Sequence, residues 1–307
     1  MKKLFFNSNQ KVRIIWKFFL FLLVLILISA PLQIGLREVL DKGLMRGNLS
    51  ALINVCAVVG SLYVLIKYIE RSSFEKFGLK IEGTWMTEFV FGCMIAVIQL
   101  SLFFLAMRLT GNLVIQDYFT VSSPDFTFIQ GFISELFRQV TVGFAEEIEF
   151  RAFLFYIVYE TLNGFKKDRA KNAIIACLLV SPLFGLAHFS NDGATIFSTI
   201  NLGLDAMMIA LPFMITGRLA ISIGMHFSWN AMQGAIFGFA NSGHIAKASI
   251  ISSTMPDNLW TGGDFGPEGS VLLLVMDALA VLLIIFWKKH KKYDSWVHAN
   301  IIQNDGQ

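Results

Sequence analysis

Long apolar stretches, most of them about the length of a membrane-spanning helix, recur along the whole chain. They lie near residues 14–36, 48–68, 84–107, 127–161, 172–189, 195–214, 218–240 and 270–287. A helix needs about 20 mostly apolar residues to cross a bilayer. The fourth stretch would extend roughly 50 Å at ~1.5 Å per residue, against a hydrocarbon core of ~30 Å, so we expect it to tilt or to begin in the interface. The pattern predicts an all-α, polytopic membrane protein with about eight transmembrane helices.

The composition agrees with the membrane class. The 307 residues are 55% hydrophobic and 15% charged, whereas a soluble domain has about 25% charged residues. The first apolar stretch is long enough to span, and the sequence before Pro31 is a poor cleavage site, so we expect an uncleaved first helix. The three cysteines are scattered and odd in number, which argues against a disulfide framework.

The distribution of Lys and Arg predicts the orientation. If the N-terminus is cytoplasmic, eighteen of these residues flank the cytoplasmic ends and five lie on the outer side. Loops with excess positive charge stay in the cytoplasm, so we expect both termini there. The five outer residues are Arg37, Lys42, Arg46, Arg108 and Lys247. The membrane topology thus explains the net charge of +3, so the basic residues do not indicate binding to nucleic acid. The expected partners are the lipid bilayer and a peptide or membrane-protein substrate.

The chain shows no linker or internal repeat, so we expect one membrane domain over residues 1–307. Within it, residues 127–240 form the expected catalytic core, and residues 241–269 form a long outer loop made of turns. Residues 288–307 form a cytoplasmic tail. The expected location is the plasma membrane, which is the inner membrane if the protein is bacterial.

The octet Phe-Ala-Glu-Glu-Ile-Glu-Phe-Arg at 144–151 places four charges in an apolar helix. Left unpaired, they would cost on the order of 10 kcal/mol in a membrane. Glu147 and Arg151 are an i,i+4 pair in the favourable order, so we expect Arg151 to neutralise Glu147. Glu146 points elsewhere on the helical wheel and is expected to face a polar cavity. The alternative is a purely structural ion-pair cluster between helices.

Two later stretches carry polar residues of the same kind. His188 follows Phe184-Gly185-Leu186-Ala187, and His226 stands one turn before Asn230, on the same helix face. A single membrane histidine is often an interhelical hydrogen bonder. Together with Glu146, however, these residues indicate a shared site. His244, His290 and His298 are expected to be ordinary surface residues.

Glu, two His and Asn in a membrane cavity suit amide hydrolysis. A carboxylate can act as general base toward water, and His with an amide can donate hydrogen bonds to a developing oxyanion. Glu146, His188 and His226 could instead ligate a divalent metal such as zinc, with water in the open position. The His-Glu-x-x-His zinc signature is absent. A metal-bound and a directly activated water both stay open at this point.

The motifs Glu146-Glu147-x-x-x-Arg151, Phe184-x-x-x-His188 and His226-x-x-x-Asn230 resemble the signature of the CPBP (Abi) family. That family comprises type II CAAX prenyl endopeptidases and relatives in bacteriocin processing and immunity. The stretch Gly262–Gly269 also resembles one before the last helix of many bacterial members.

The resemblance implies an eight-helix intramembrane endopeptidase of a family often called metalloproteases, although a metal-free glutamate mechanism has also been proposed for it. By the same resemblance, Glu146 would activate water with help from His188. Glu147 would support the site with Arg151, and His226 and Asn230 would stabilise the oxyanion.

Two other functions compete with proteolysis. A non-catalytic scaffold or bacteriocin-immunity factor would keep the same fold. A proton-coupled transporter would use buried carboxylates such as Asp277, but the halves of the chain show no matching broken helices.

Overall fold

The computed structural model describes residues 2–6, 12–165 and 168–302. Lys11, Lys166 and Lys167, which entered the charge count, lie outside these ranges, as do residues 303–307 of the expected tail.

A long helix occupies each of the eight predicted stretches. After a short α1 (Lys2–Phe5), the first half of the chain forms α2 (Ile14–Val39), α3 (Leu44–Val64), α4 (Trp85–Leu109), α5 (Phe128–Glu147) and α6 (Phe155–Asn163). The second half forms α7 (Arg169–Ala187), α8 (Ile196–Thr216), α9 (Ala220–Asn230), α10 (Leu272–His290) and a short α11 (Ala299–Ile302). π-Helical turns extend α3 over Leu65–Glu70, join α5 to α6 over Ile148–Leu154 and extend α9 over Ala231–Ile236. Single 3₁₀ turns lie at Phe74–Phe77, Gly263–Phe265 and Pro267–Gly269.

Five of these helices are long and apolar enough to cross a membrane: α2, α3 with its extension, α4, α7 and α8. The protein is therefore a membrane protein by the length and composition of its helices. The α5–α6 helix carries the charged octet, and α9 has only 11 residues before its π-helical turns. The crossing of the bilayer by all eight long helices, with both termini cytoplasmic, stays a prediction.

Two strands depart from the all-α expectation. β1 (Val114–Val121) pairs antiparallel with β2 (Ala248–Thr254), with an irregularity between Ile115 and Asp117. Only turns were expected over residues 241–269. β2 reads Ala-Ser-Ile-Ile-Ser-Ser-Thr and lacks the alternation that marks a strand, and its partner is more than a hundred residues away in the chain. The sheet attaches the loop over residues 241–269 to the connection that precedes α5.

Local side-chain bonds fix where the site-bearing helices begin. Thr127 and Gln130 form a capping box at the start of α5, in which the Gln130 N–H donates to Thr127 Oγ1 and the Thr127 N–H donates to Gln130 Oε1 at 2.9 Å. Asp168 caps α7 by accepting the Lys171 N–H at 3.0 Å. The register of both helices is therefore set by their own sequence.

Glycines allow the helices that carry the site to approach closely. A Cβ added to Gly92 of α4 would lie 2.2 Å from the Ile221 carbonyl oxygen, and one on Gly224 of α9 would lie 2.2 Å from the Phe89 carbonyl oxygen. Gly185 of α7 meets the Thr199 carbonyl oxygen of α8 in the same way, at 2.1 Å. Small residues are the usual contact points of membrane helices. These crossings hold α9 against α4 and α7 against α8.

Candidate active site

Glu147 lies fully buried at the end of α5, between a guanidinium and an imidazole. Arg151 Nη1 lies 2.9 Å from Glu147 Oε1, and His226 Nδ1 lies 2.8 Å from the same oxygen. The first contact is the i,i+4 pair expected from the sequence. The second joins α5 to α9 and was not expected. The π-helical turns begin at Ile148, directly after this residue, and such turns are frequent at functional sites because they redirect side chains.

Arg151 links the charged octet to two further helices. Its Nη2 donates a hydrogen bond to the Ala206 carbonyl of α8 at 3.2 Å. Its guanidinium carbon lies 5.0 Å from the ring centroid of Phe184 on α7, within the range of a cation–π contact. The buried cation is thus held by an ion pair, a backbone carbonyl and an aromatic face.

His226 connects Glu147 to Glu146. Because Nδ1–H donates to Glu147, the second ring nitrogen, Nε2, is left for Glu146, whose Oε2 lies 3.5 Å away. The Phe184 ring packs edge-on against the His226 ring, with 5.9 Å between centroids. The Glu146 side chain is 26% exposed, whereas His226 is buried. Glu146 is therefore the carboxylate of the pair that water can reach.

His188, just past the end of α7, is oriented by its own helix. Its Nδ1 lies 2.8 Å from the Phe184 carbonyl oxygen, and because a carbonyl only accepts, Nδ1 carries the hydrogen. In the neutral ring Nε2 then has a free lone pair. Asn230 is buried one turn after His226, directly before the π-helical turns Ala231–Ile236.

A cavity of about 150 Å³ brings these side chains together; Glu146, His188, His226 and Asn230 all line it. A second cavity of about 530 Å³ adjoins it and shares Arg138, Val142, Glu146 and His244. Glu149, which received no role from the sequence, lines this second cavity with Glu146. The three motifs therefore converge on one space, with Glu146 on the boundary between the two cavities.

Glu268 also lines the smaller cavity, although the sequence predicted no role for it. Its carboxylate is buried and accepts three hydrogen bonds, from Trp229 Nε1 at 3.1 Å and from the N–H and Oγ of Ser242 at 2.6 and 2.7 Å. Trp229 precedes Asn230, so Glu268 ties α9 to the loop over the cavity. The available signal was an acidic residue inside the glycine-rich stretch Gly262–Gly269 that had already been noted.

Three other polar residues differ in how they relate to the site. His244, expected as an ordinary surface residue, lines both cavities. Asp205 of α8 lines the smaller cavity and lies beside Asp277 of α10. Asn201 donates a hydrogen bond to the Ser270 carbonyl at 2.9 Å and so bonds between α8 and the start of α10. Through His244, the loop over residues 241–269 therefore contributes to the cavity wall.

The residues present do not fit a metal site. Among the described residues, no three His, Cys, Asp or Glu side chains are arranged to hold an ion. The bond from His226 Nδ1 to Glu147 does not count against a metal, because metal-ligating histidines commonly donate their other ring nitrogen to a carboxylate. What is missing from the described part of the chain is a third ligand beside Glu146 and His226 Nε2, which lie 3.5 Å apart. Glu146, His188 and His226 share the cavity wall without forming a ligand set.

Comparison with known proteins identifies one family. Residues 129–232 match the family model "type II CAAX prenyl endopeptidase Rce1-like", which confirms the resemblance seen in the motifs. The match covers all three motifs and less than half of the chain. No curated protein and no solved structure matched the chain significantly.

Proposed function

We propose that the protein is an intramembrane endopeptidase, with eight helices across the bilayer and both termini in the cytoplasm. The observation that carries the proposal is the arrangement around His226. A buried carboxylate, Glu147, fixes Nδ1 of the ring, and a reachable carboxylate, Glu146, lies 3.5 Å from its Nε2 on the wall of a cavity. The match of residues 129–232 to a peptidase family supports the same reaction class.

In this proposal Glu146 is the general base. A water between Glu146 and His188 gives one proton to the Glu146 carboxylate while its oxygen forms a bond to the carbonyl carbon of the peptide. The free Nε2 of His188 accepts a hydrogen bond from the water and orients it. The metal-free mechanism is chosen because Glu146, His188 and His226 do not meet as ligands.

The developing oxyanion is stabilised from α9. Asn230 donates from its side-chain amide, and the His226 ring donates from Nε2–H when it carries both protons. The tetrahedral intermediate then collapses, the carbon–nitrogen bond breaks, and the proton held by Glu146 passes to the leaving amine. The products are an amine and a carboxylic acid, which keeps the second proton of the water until it ionises to solvent, and Glu146 returns to its starting state.

Glu147 and Arg151 position the site without touching substrate. Glu147 holds the His226 ring in one orientation, and Arg151 compensates the charge of Glu147 in the apolar interior. Such orienting groups keep reacting groups within the narrow geometry that catalysis needs. The proposed substrate is a peptide or a membrane protein whose scissile segment reaches the cavity.

Glu146→Gln and His188→Ala test the proposal. Removing a general base or its partner lowers the rate by roughly 10²–10⁴, so cleavage of a membrane-tethered reporter should fall by at least about 100-fold at unchanged protein level. Glu149→Gln is the matched control, because it makes the same change three residues along the same helix, and it should leave cleavage within a few-fold of the parent.

The same variants separate proteolysis from a scaffold or immunity role. A scaffold keeps full cellular function in both Glu146→Gln and His188→Ala, and that outcome would contradict the proposal. Substrates can be found by comparing peptide termini of the membrane proteome in cells that make the parent protein or Glu146→Gln. For the metal question, purified protein should keep full activity after chelation and contain no stoichiometric zinc. Loss of activity that zinc restores would contradict the directly activated water.

A further inference from the structure

The two ends of the helix bundle differ in their content of basic residues. From residue 12 onward, the described part of the chain places thirteen Lys and Arg at one end and six at the other. The richer end, called the basic end here, comprises the start of α2, the connections α3–α4, α6–α7 and α8–α9 with the adjoining helix ends, and the end of α10 with the segment after it. Contacts join these segments, because Arg218 binds Glu88 and Tyr293, and the Leu219 N–H donates to the Gly78 carbonyl at 3.0 Å.

The mouth of the smaller cavity lies at the opposite end. Its lining includes Asn191 in the α7–α8 connection and Asn241, Ser242 and His244 in the loop that follows α9. The Asn191 side-chain amide donates to the Ser242 carbonyl at 3.0 Å, so the two connections meet over the cavity. Arg138, in the half of α5 far from the basic end, completes this rim.

Helix rise relates each polar side chain of the site to the basic end. Glu146 lies 17 residues from Asn163 at the basic end of α6, which is about 25 Å at ~1.5 Å per residue. His188 lies 19 residues from Arg169 at the basic end of α7, or about 28 Å by the same rise. Along α9, His226 lies only 6 residues, or about 9 Å, from Ala220 at the basic end, although it is 3.5 Å from Glu146. Rise along one helix therefore does not fix the depth of the site, and the rim residues carry the placement of the cavity.

We propose that this cavity opens on the extracytoplasmic side of the membrane and that the protein cleaves peptide segments presented from outside. Lys and Arg at the ends of membrane helices stay in the cytoplasm, which assigns the basic end to that side. The substrates are then exported peptides or outward-facing segments of membrane proteins, and C-terminal peptides that stay in the cytoplasm are excluded. The substrate statement rests on the proposed peptidase activity, whereas the side on which the cavity opens rests only on the proposed membrane topology.

Cysteine labelling tests the orientation. In a background with Cys56, Cys93 and Cys177 replaced by Ala, Ser190→Cys marks the α7–α8 connection at the cavity mouth, and Ser73→Cys marks the basic end. Both serines are exposed and the substitution is conservative. A membrane-impermeant maleimide should label Ser190→Cys in intact cells and Ser73→Cys only after permeabilisation, with at least about a tenfold difference in rate. The reverse pattern, or equal labelling of both variants in intact cells, would overturn the orientation.

Sealed vesicles test the substrate class. Quenched fluorescent peptides that cannot cross the bilayer are added to right-side-out and to inside-out vesicles. Cleavage that is lost in Glu146→Gln should be at least several-fold faster in the right-side-out preparation. Faster cleavage in inside-out vesicles would overturn the inference. If neither vesicle preparation cleaves the peptides and the labelling pattern is as expected, the proposed peptidase activity and its substrate class are refuted, while the orientation stays supported.

Discussion

The buried pair of Glu147 and Arg151 gives the sharpest test of how this bundle tolerates charge. The Glu147 side chain is fully buried, that of Arg151 is 4% exposed, and Nη1 lies 2.9 Å from Oε1. Arg151→Met removes the cation and leaves the carboxylate with only His226 as a partner. Breaking a buried ion pair costs about 3–5 kcal/mol, because the remaining charge is uncompensated. We expect the free energy of unfolding to fall by that amount.

A double-mutant cycle separates the pair from the rest of the packing. Glu147→Gln alone leaves an uncompensated guanidinium and should cost about as much as Arg151→Met. The double variant leaves no isolated charge at these two positions, so its loss should be smaller than the sum of the two single losses by about 2–3 kcal/mol. The measurement is reversible unfolding in detergent micelles, followed at several denaturant concentrations.

An exposed ion pair in the same chain is the control. Lys80 and Glu82 lie 2.8 Å apart, with side chains 34% and 47% exposed. The matched cycle of Lys80→Met and Glu82→Gln should show a coupling below about 1 kcal/mol, because solvent screens such a pair. Additive losses within about 0.5 kcal/mol for Glu147 and Arg151 would refute the reasoning, since burial would then add nothing to the pair.

Three further substitutions have direct expected outcomes. Asn230→Ala should lower the cleavage rate by about 10²–10³, the usual effect of removing one oxyanion donor, with little change in the melting temperature. A loss of rate below about fivefold would show that Asn230 is not an oxyanion donor. Glu268→Ala should make the loop over residues 241–269 more susceptible to limited proteolysis, because each buried donor left unpaired costs about 1–3 kcal/mol. Glu268→Gln still accepts hydrogen bonds, so its increase in susceptibility should be smaller. Gly92→Ala should lower the free energy of unfolding by at least about 1–3 kcal/mol, since its Cβ would meet the Ile221 carbonyl. Gly35→Ala has open space around the new Cβ and should raise the free energy of unfolding by up to about 1 kcal/mol. Equal effects of the two substitutions would contradict the close crossing.

The positions of the helices follow from local information. A run of apolar residues long enough for a membrane crossing must satisfy its own backbone hydrogen bonds, so hydropathy alone located all eight long helices to within a few residues. The pairing of Glu147 with Arg151 was equally accessible, because residues four apart on a helix are neighbours whatever surrounds them. The family motifs lie in this same locally determined part of the chain.

Tertiary structure decided what those helices do together. The second partner of Glu147 is His226, 79 residues away, and no periodicity reveals such a contact. The β1–β2 sheet, the three hydrogen bonds of Glu268 and the position of His244 on the cavity wall also depend on segments distant in the sequence. The sequence by itself determined which residues are helical and which charges are costly in a membrane. Only the packing of α5, α7 and α9 decided which carboxylate is buried as a support and which one faces the cavity, because burial is a property of neighbours and not of a residue's own helix.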